Sequence, residues 1–323
     1  MKISGKTVLV VGAGISGLLT ATILKRAGVQ VKVLEKGRGF GGRMATRRMD
    51  GGRLDHGAQF FTVRTSDFGR WVEEWQEKGV IREWFRKAPW DRSPEGHPRY
   101  CGISGMTDVP QPLGEDLDVE RSVRIESTKH SASGWTLQSD KGAAFEADIL
   151  ILTAPVPQSI ALLSDAGVRL PEEEWQSMKK VDYEPCLTGL LVLDGPSGLA
   201  EPGGVKTKGG VIEWLGDNTR KGISPEVSTV TVHSTPEFAR EHWDSPDEVR
   251  LPLLQDAASE YLKAKIVNGS VHRWGFNVPI NGLTKGFSWY DEFGLGFAGD
   301  GFGGPRVEGA ALSGIQLGTY LTA

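Results

Sequence analysis

Thr7-Val8-Leu9-Val10-Val11 runs directly into Gly12-Ala13-Gly14-Ile15-Ser16-Gly17, and Val29-Gln30-Val31-Lys32-Val33-Leu34 ends on Glu35. The first five residues are a short β-branched apolar run, which reads as a buried strand. Ile15 to Ala27 has helical character, and Val29 to Leu34 reads as a second strand. Strand, G-x-G-x-x-G, helix, strand and acid in that order form the βαβ dinucleotide-binding pattern. In it Gly12 permits a tight turn, Gly14 lets the backbone approach a pyrophosphate, and Gly17 lets helix and sheet pack closely. Unpaired N–H groups and the helix dipole favour the phosphates at the start of the helix. Glu35, about 20 residues past the glycines, is placed to accept from ribose hydroxyls. A lone glycine fingerprint is weak in a chain with 43 glycines, so the flanking strands, the helix and Glu35 carry the reading.

The chain of 323 residues has room for two domains or for one large domain with an insertion. Its 39% hydrophobic and 24% charged residues are those of a globular protein. The net charge of −4 provides no global basic field for nucleic acid or anionic lipid. A local basic run, Arg43, Arg47, Arg48 and Arg53, fits a bound phosphate or a solvated loop better. Cys101 and Cys186 are too few for a disulfide framework or a four-thiolate metal site, and a reducing cytoplasm is the expected home. No metal site and no transmembrane span are expected, and the apolar N-terminus reads as folded and retained.

Gly37-Arg38-Gly39-Phe40-Gly41-Gly42-Arg43 adds a second glycine-rich loop where a simple NAD domain would proceed to its next helix. Its flexible backbone and terminal cation suit a second phosphate contact. Gly51 to Phe61 then reads as a turn, a short strand and another loop of close approach. Glu35-Lys36, Gly42-Arg43-Met44-Ala45-Thr46 and Asp55-His56-Gly57-Ala58-Gln59 together resemble the flavin-containing amine oxidase superfamily. The compact length and the segment Gly57 to Thr62 are most similar to its renalase branch.

The resemblance implies an α/β fold: a Rossmann-like FAD-binding domain of the glutathione-reductase and amine-oxidase type, interleaved with a mixed α/β substrate domain. Residues 1–65, 100–157 and 269–323 are expected to form the first, and 66–99 and 158–268 the second. Phe68, Trp71, Val72 and Trp75 recur at helical spacing and read as core, with Trp84, Phe85 and Trp90 following. Glu120 to Ile125 and Trp135 to Gln138 read as strands of a small antiparallel sheet, and Ala147 to Pro155 contains a buried strand. Between 157 and 268, helices are expected over Glu172 to Met178 and Asp247 to Ala264, and strands over Thr188 to Leu193, Val211 to Trp214 and Val227 to His233. His272 to Pro279 is expected to return the chain to the cofactor. Leu295 to Asp300 reads as a strand closing on Gly-Asp, and Pro305-Arg306-Val307 opens the last helix.

For the cofactor the resemblance implies Gly12, Ala13, Gly14, Ile15, Ser16, Gly17, Glu35 and Lys36. It adds Gly42, Arg43, Met44, His56, Gly57, Ala58 and Gln59, then Val123 through its backbone and Thr153 and Ala154 beside it. At the far end it implies Gly299 and Asp300 near the pyrophosphate or ribityl chain, and Arg306, Val307 and Ala310 at a helix start facing the flavin. No cysteine follows Cys186 to tether the ring, so the FAD is expected to be non-covalent. No nucleophile–base–acid set is evident, and His56 reads as a structural hydrogen-bond partner. Oxidation of a dihydropyridine needs no base, because losing hydride makes the ring aromatic. This suits the renalase-like reaction, in which 2- or 6-dihydro isomers of NAD(P)H are oxidised and O2 takes the electrons as H2O2. Cationic Arg220 and Lys221, in a polar turn spanning Trp214 to Gly222, are expected at the rim of the site to receive an anionic substrate. The rival enzyme reading is an amine oxidase with an aromatic cage from Trp214, Phe276, Trp289 and Tyr290. A third is a non-catalytic binding protein on the same scaffold, like the GDP-dissociation inhibitors of small GTPases.

Overall fold

The computed structural model describes residues 2–91 and 93–323. A strand at Thr7–Val11, a helix at Ile15–Arg26 and a strand at Gln30–Glu35 open the chain as the sequence requires. The strand Thr7–Val11 is central in a six-stranded sheet, where it pairs in parallel with Gln30–Glu35 on one side and Ile149–Leu152 on the other. Outward lie Asp118–Arg121 beside the second strand, and Leu295–Phe297 followed by the antiparallel edge Ser288–Tyr290. Strands buried on both faces account for the unbroken apolar runs at 8–10 and 149–152. The last helix, Val307–Thr322, packs against the first, close enough that Thr20 Oγ1 donates to the Gly314 carbonyl at 3.0 Å.

A second sheet of five antiparallel strands runs in the order Gly204–Lys206, Ile212–Asp217, Thr229–Ser234, Tyr183–Leu193 and Ile266–Pro279. The helix Asp247–Ser259 covers one face through Leu254 and Ala258. This helix ends short of the expected Ala264. Between the two sheets run the hairpin of Thr46–Met49 with Gly52–Asp55 and the pair Ile81–Phe85 with Arg99–Gly102.

Three expectations need correction. Glu120 to Ile125 is not one strand: Glu120 and Arg121 belong to the parallel sheet, and Ile125–Ser131 starts the separate three-stranded sheet. Ser122, at φ +60, turns the chain between them. The expected boundary at 268/269 falls inside the continuous strand Ile266–Pro279, whose register with Tyr183–Leu193 runs to Pro279. The helix Ser66–Glu77 forms as expected, but it buries Phe68, Trp71 and Trp75 with Ile15, Leu19, Ala311 and Ile315 of the two Rossmann-side helices.

Candidate active site

Two buried regions meet around the loop Asp55 to Phe60. The first is a groove made of backbone. Gly12 has φ +112, and a side chain there would place Cβ 2.7 Å from Thr153 Oγ1. A Cβ on Gly17 would run into the Gly12 carbonyl, so both positions demand glycine. Gly14 differs, since nothing lies within 4 Å of where its Cβ would be. It caps the first helix without a side-chain hydrogen bond, and the buried Ser16 hydroxyl in that helix's first turn has no partner. Unmet donors facing open space form an anion cradle. Glu35 Oε2 accepts from Ala13 N at 2.7 Å and Oε1 from Gly37 N at 2.5 Å, which fixes the carboxylate beside the turn. Val123 N donates to the Glu35 carbonyl at 2.9 Å, so that segment flanks the same end of the groove. Lys36 turns outward to Gln158 Oε1 at 3.2 Å.

At the other end, Thr153 Oγ1 donates to the Val11 carbonyl at 2.9 Å, and Ala154 accepts from Ser159 Oγ. Gly299, at φ +135, delivers Asp300. Asp300 meets Arg43 in a two-pronged pair, at 2.5 Å from Nη1 and 2.8 Å from Nη2, and Arg43 also donates to the Asn277 carbonyl at 3.0 Å. The guanidinium expected to stand free for a phosphate is thus held by a carboxylate. The Tyr183 hydroxyl lies 3.3 Å from Asp300, and burial first, then Asp300, raises its pKa. Gly42 is exposed and Met44 is core, while Arg306, Val307 and Ala310 line the start of the last helix, which has no side-chain cap. Ala58 N donates to the Arg43 carbonyl at 2.8 Å, and a Cβ on Gly57 would strike that carbonyl, so the two loops are in backbone contact.

The second region is made of side chains. Asp55 and Lys221, both fully buried, pair at 2.5 Å. Asp55 Oδ1 also accepts from Thr46 Oγ1 at 2.5 Å and Met106 N at 2.8 Å, and its carbonyl accepts from Thr231 Oγ1 at 3.0 Å. The pair therefore ties the hairpin to the five-stranded sheet. Lys221 Nζ lies 5.1 Å from the Trp84 ring, and Arg99, paired with Asp91, lies 4.8 Å from Phe85. Trp214 gathers Phe60, Trp84 and Trp90 at 5.8, 6.5 and 5.5 Å between ring centres.

Beside this lies a histidine cluster. His56 stacks on Trp274 at 5.0 Å and meets His272 edge-on at 4.7 Å, and Trp274 Nε1 donates to the His56 carbonyl at 2.8 Å. Burial, then His272 and Arg47, pushes the His56 pKa down to about 3. Burial likewise brings His233 to about 4, and burial with Arg47 brings His272 to about 4. The His56 ring is stacked with its Nδ1 unpaired, and its backbone carbonyl accepts from Trp274 Nε1. Arg47 reaches His272, and Arg48 lies exposed opposite Arg53 on the hairpin.

Several substrate-pocket candidates move. The turn after Trp214 is not a polar rim, because Asp217, Asn218 and Lys221 are buried and engaged in hydrogen bonds. Lys221 is neutralised by Asp55, and Arg220 pairs with Glu201 at the surface, so neither is a free cation for substrate. Trp289 sits on the edge strand Ser288–Tyr290, packs in the Rossmann core and donates to Asp291 at 3.3 Å. Tyr290 donates to Glu174. Phe276 lies edge-on to Tyr183 at 5.5 Å, near Asp300 and apart from the Trp214 cluster. Asp55 and Phe60 lie in stretches read for the cofactor, and Trp84 and Trp90 in the aromatic run after Trp75, so none was marked for this cluster, and Tyr183 had no motif at all. No group of three or more His, Cys, Asp or Glu residues able to hold a metal occurs among the described residues.

The flavin containing amine oxidoreductase family model matches residues 87–316, and an NAD(P)-binding Rossmann-like domain model matches residues 10–77. The chain belongs to the flavin containing amine oxidoreductase family. The family is flavin-containing, and the groove's open glycine, unmet Ser16 hydroxyl and Glu35 suit FAD as the cofactor. The chain is 27% identical to renalase of Mus musculus over 187 residues, which is 54% of this chain and 55% of that protein. The chain thus spans about half the length of this curated relative. A carotenoid 3,4-desaturase of Haloarcula japonica is 44% identical over 61 residues, 19% of this chain and 12% of that protein. Among solved structures, putrescine oxidase bound to putrescine superposes with a TM-score of 0.76 at 17% identity over 98% of both chains. A fatty acid isomerase from P. acnes does so with 0.72 at 12% over 98% of both. An oxidase and an isomerase on one scaffold show that the fold does not select the substrate. Among the described residues, no helix is long and apolar enough to cross a membrane.

Proposed function

We propose that this protein oxidises isomeric dihydronicotinamide dinucleotides, the 2- or 6-dihydro forms of NAD(P)H, to NAD(P)+, with O2 as final acceptor. FAD, when bound, supplies acceptance of a hydride at N5 and return of the electrons to O2. In the balance, the donor carbon loses one hydride; O2 takes that hydride and one proton from solvent to leave as H2O2.

The observation that supports this reading is that the charged groups beside the aromatic cluster are paired with each other. Its charged neighbours are already ion-paired, Lys221 with Asp55 and Arg99 with Asp91. An ammonium entering there would find both of these carboxylates already taken. A dihydropyridine needs neither, since it is neutral at the ring and gains aromaticity on losing hydride. Burial keeps His56, His233 and His272 in their neutral forms, so they add no cation beside the site near pH 7.

The part of the chain in this reading is to bind, orient and exclude water. The groove from Gly12 to Gly17, with Glu35, would hold the adenosine end of FAD, and the start of the last helix would face its ring. Residues 1–65, 100–157 and the closing segment after 279 would form that domain, and the five-stranded sheet would form the substrate side. Incubation with each isomer in air should give NAD(P)+ and H2O2 in equal amounts. Formation of aldehyde and H2O2 from an amine, with the isomers untouched, would overturn the reading.

A further inference from the structure

A hollow of about 390 Å³ opens between the loop 163–170 and the helix Glu172–Lys179, and no residue of the cofactor groove or the Trp214 cluster lines it. Small-molecule pockets span about 300–1,000 Å³, so the space is large enough for a ligand. The loop is the fixed wall. Thr128 Oγ1 donates to the Leu162 carbonyl at 2.6 Å and His130 N to the Ala166 carbonyl at 2.8 Å, which bind the loop to the strand Ile125–Ser131. The helix is the opposite wall, and the one side chain it fully buries is Met178. With so little apolar surface drawing it down, the helix stands off the loop and the gap stays open.

The buried Leu163 and Leu170 form the floor, and the half-buried Val168 and Trp175 add an aliphatic and an indole face. Two exposed charges of opposite sign stand at the mouth, Arg169 from the loop and Glu172 from the first turn of the helix. They are near in sequence but do not pair. Among the described residues neither has an oppositely charged side chain within 4 Å. Glu172 Oε1 accepts from Gln176 Nε2 at 2.7 Å, which leaves its other oxygen open.

An apolar acid entering this hollow would satisfy Arg169 and be repelled by Glu172, and an apolar amine would meet the reverse. A zwitterion with an apolar body answers both charges and the floor together, and an aromatic ring suits the indole face. We propose that the hollow binds a free α-amino acid with an aromatic side chain, its carboxylate on Arg169, its ammonium on Glu172 and its ring against Leu163, Leu170 and Trp175. Such a site is separate from the flavin, whichever substrate the flavin oxidises.

The test is a ligand-observed NMR titration of the FAD-loaded protein with L-phenylalanine, 3-phenylpropionate and 2-phenylethylamine, which share a ring and differ in charge. L-Phenylalanine is expected to bind about fivefold more tightly than either analogue, the weight of one exposed ion pair. Arg169→Gln and Glu172→Gln change exposed side chains, so the fold is kept, and each is expected to remove the advantage with the flavin spectrum unchanged. Equal affinity of L-phenylalanine and either analogue, or no binding of L-phenylalanine, would overturn the site. An advantage that survives in either variant would overturn it as well, since the amino acid would then be held elsewhere. None of these results bears on whether the flavin oxidises a dihydronicotinamide.

Discussion

The glycine turn at residues 12–17 and the cluster around Trp214 are both buried, but different materials form them. The turn is backbone: positive φ at Gly12, a close carbonyl at Gly17 and open space at Gly14. The Trp214 region is side chain, and its ion pair joins Asp55 to Lys221, 166 positions apart in the chain. A backbone site constrains residue type locally and so leaves a motif. A side-chain site is assembled by tertiary pairing, and its members are ordinary residues wherever they stand in the sequence.

The contrast predicts different failures. Lys221→Met strands the Asp55 carboxylate in a fully buried place, and is expected to cost about 3–5 kcal/mol in urea denaturation. Adding Asp55→Asn keeps an acceptor for Thr46 and Met106 while removing the charge, and should restore roughly half of that. A loss below about 1 kcal/mol in the single variant would show that the pair does not hold the two regions together.

In the turn, Gly17→Ala forces a Cβ onto the Gly12 carbonyl, and is expected to destabilise by about 1–3 kcal/mol and to release FAD. Gly14→Ala meets nothing in the fold, so the apoprotein should melt as the wild type does while FAD binds more weakly. Equal FAD affinity in Gly14→Ala would place the pyrophosphate elsewhere.

The histidines give a smaller, pH-dependent effect. His56 and His233 are held neutral, near pKa 3 and 4, and titrate near 6.5 when unfolded. The unfolded chain therefore binds more protons below pH 6.5, and stability falls as pH drops towards 4, with no contribution above about 7.5. Between pH 7 and pH 6 the loss should be about 1–2 kcal/mol for the two together, read from urea midpoints. His233→Gln should flatten that slope. Smallest of all, Arg220→Ala breaks a surface pair with Glu201 and should leave substrate affinity unchanged within about twofold.

Legibility in the sequence followed the same division. The first strand, the first helix, the Ser66–Glu77 helix and the closing helix were visible because each carries its own period or punctuation. Ser122 was missed because one residue at positive φ divides what reads as a single strand. Lys221 and Arg220 looked alike as adjacent cations, and only the fold turns one into a fully buried core ion pair and the other to the surface. Trp289 read as an aromatic wall because an indole in a strand does not announce which sheet it joins. Phe60 and Trp84 stood in separate stretches with nothing to say that they meet, since that contact exists only where the hairpin meets the five-stranded sheet.

The most direct test of the account is anaerobic stopped-flow of the FAD-loaded protein against 2-dihydro-NAD(P), 6-dihydro-NAD(P), ordinary NADH and a panel of amines. Rapid bleaching of the flavin by one dihydropyridine isomer, with every amine inert, is the predicted result. Bleaching by an amine while both isomers are inert would contradict it and make the aromatic cluster around Trp214 an amine cage.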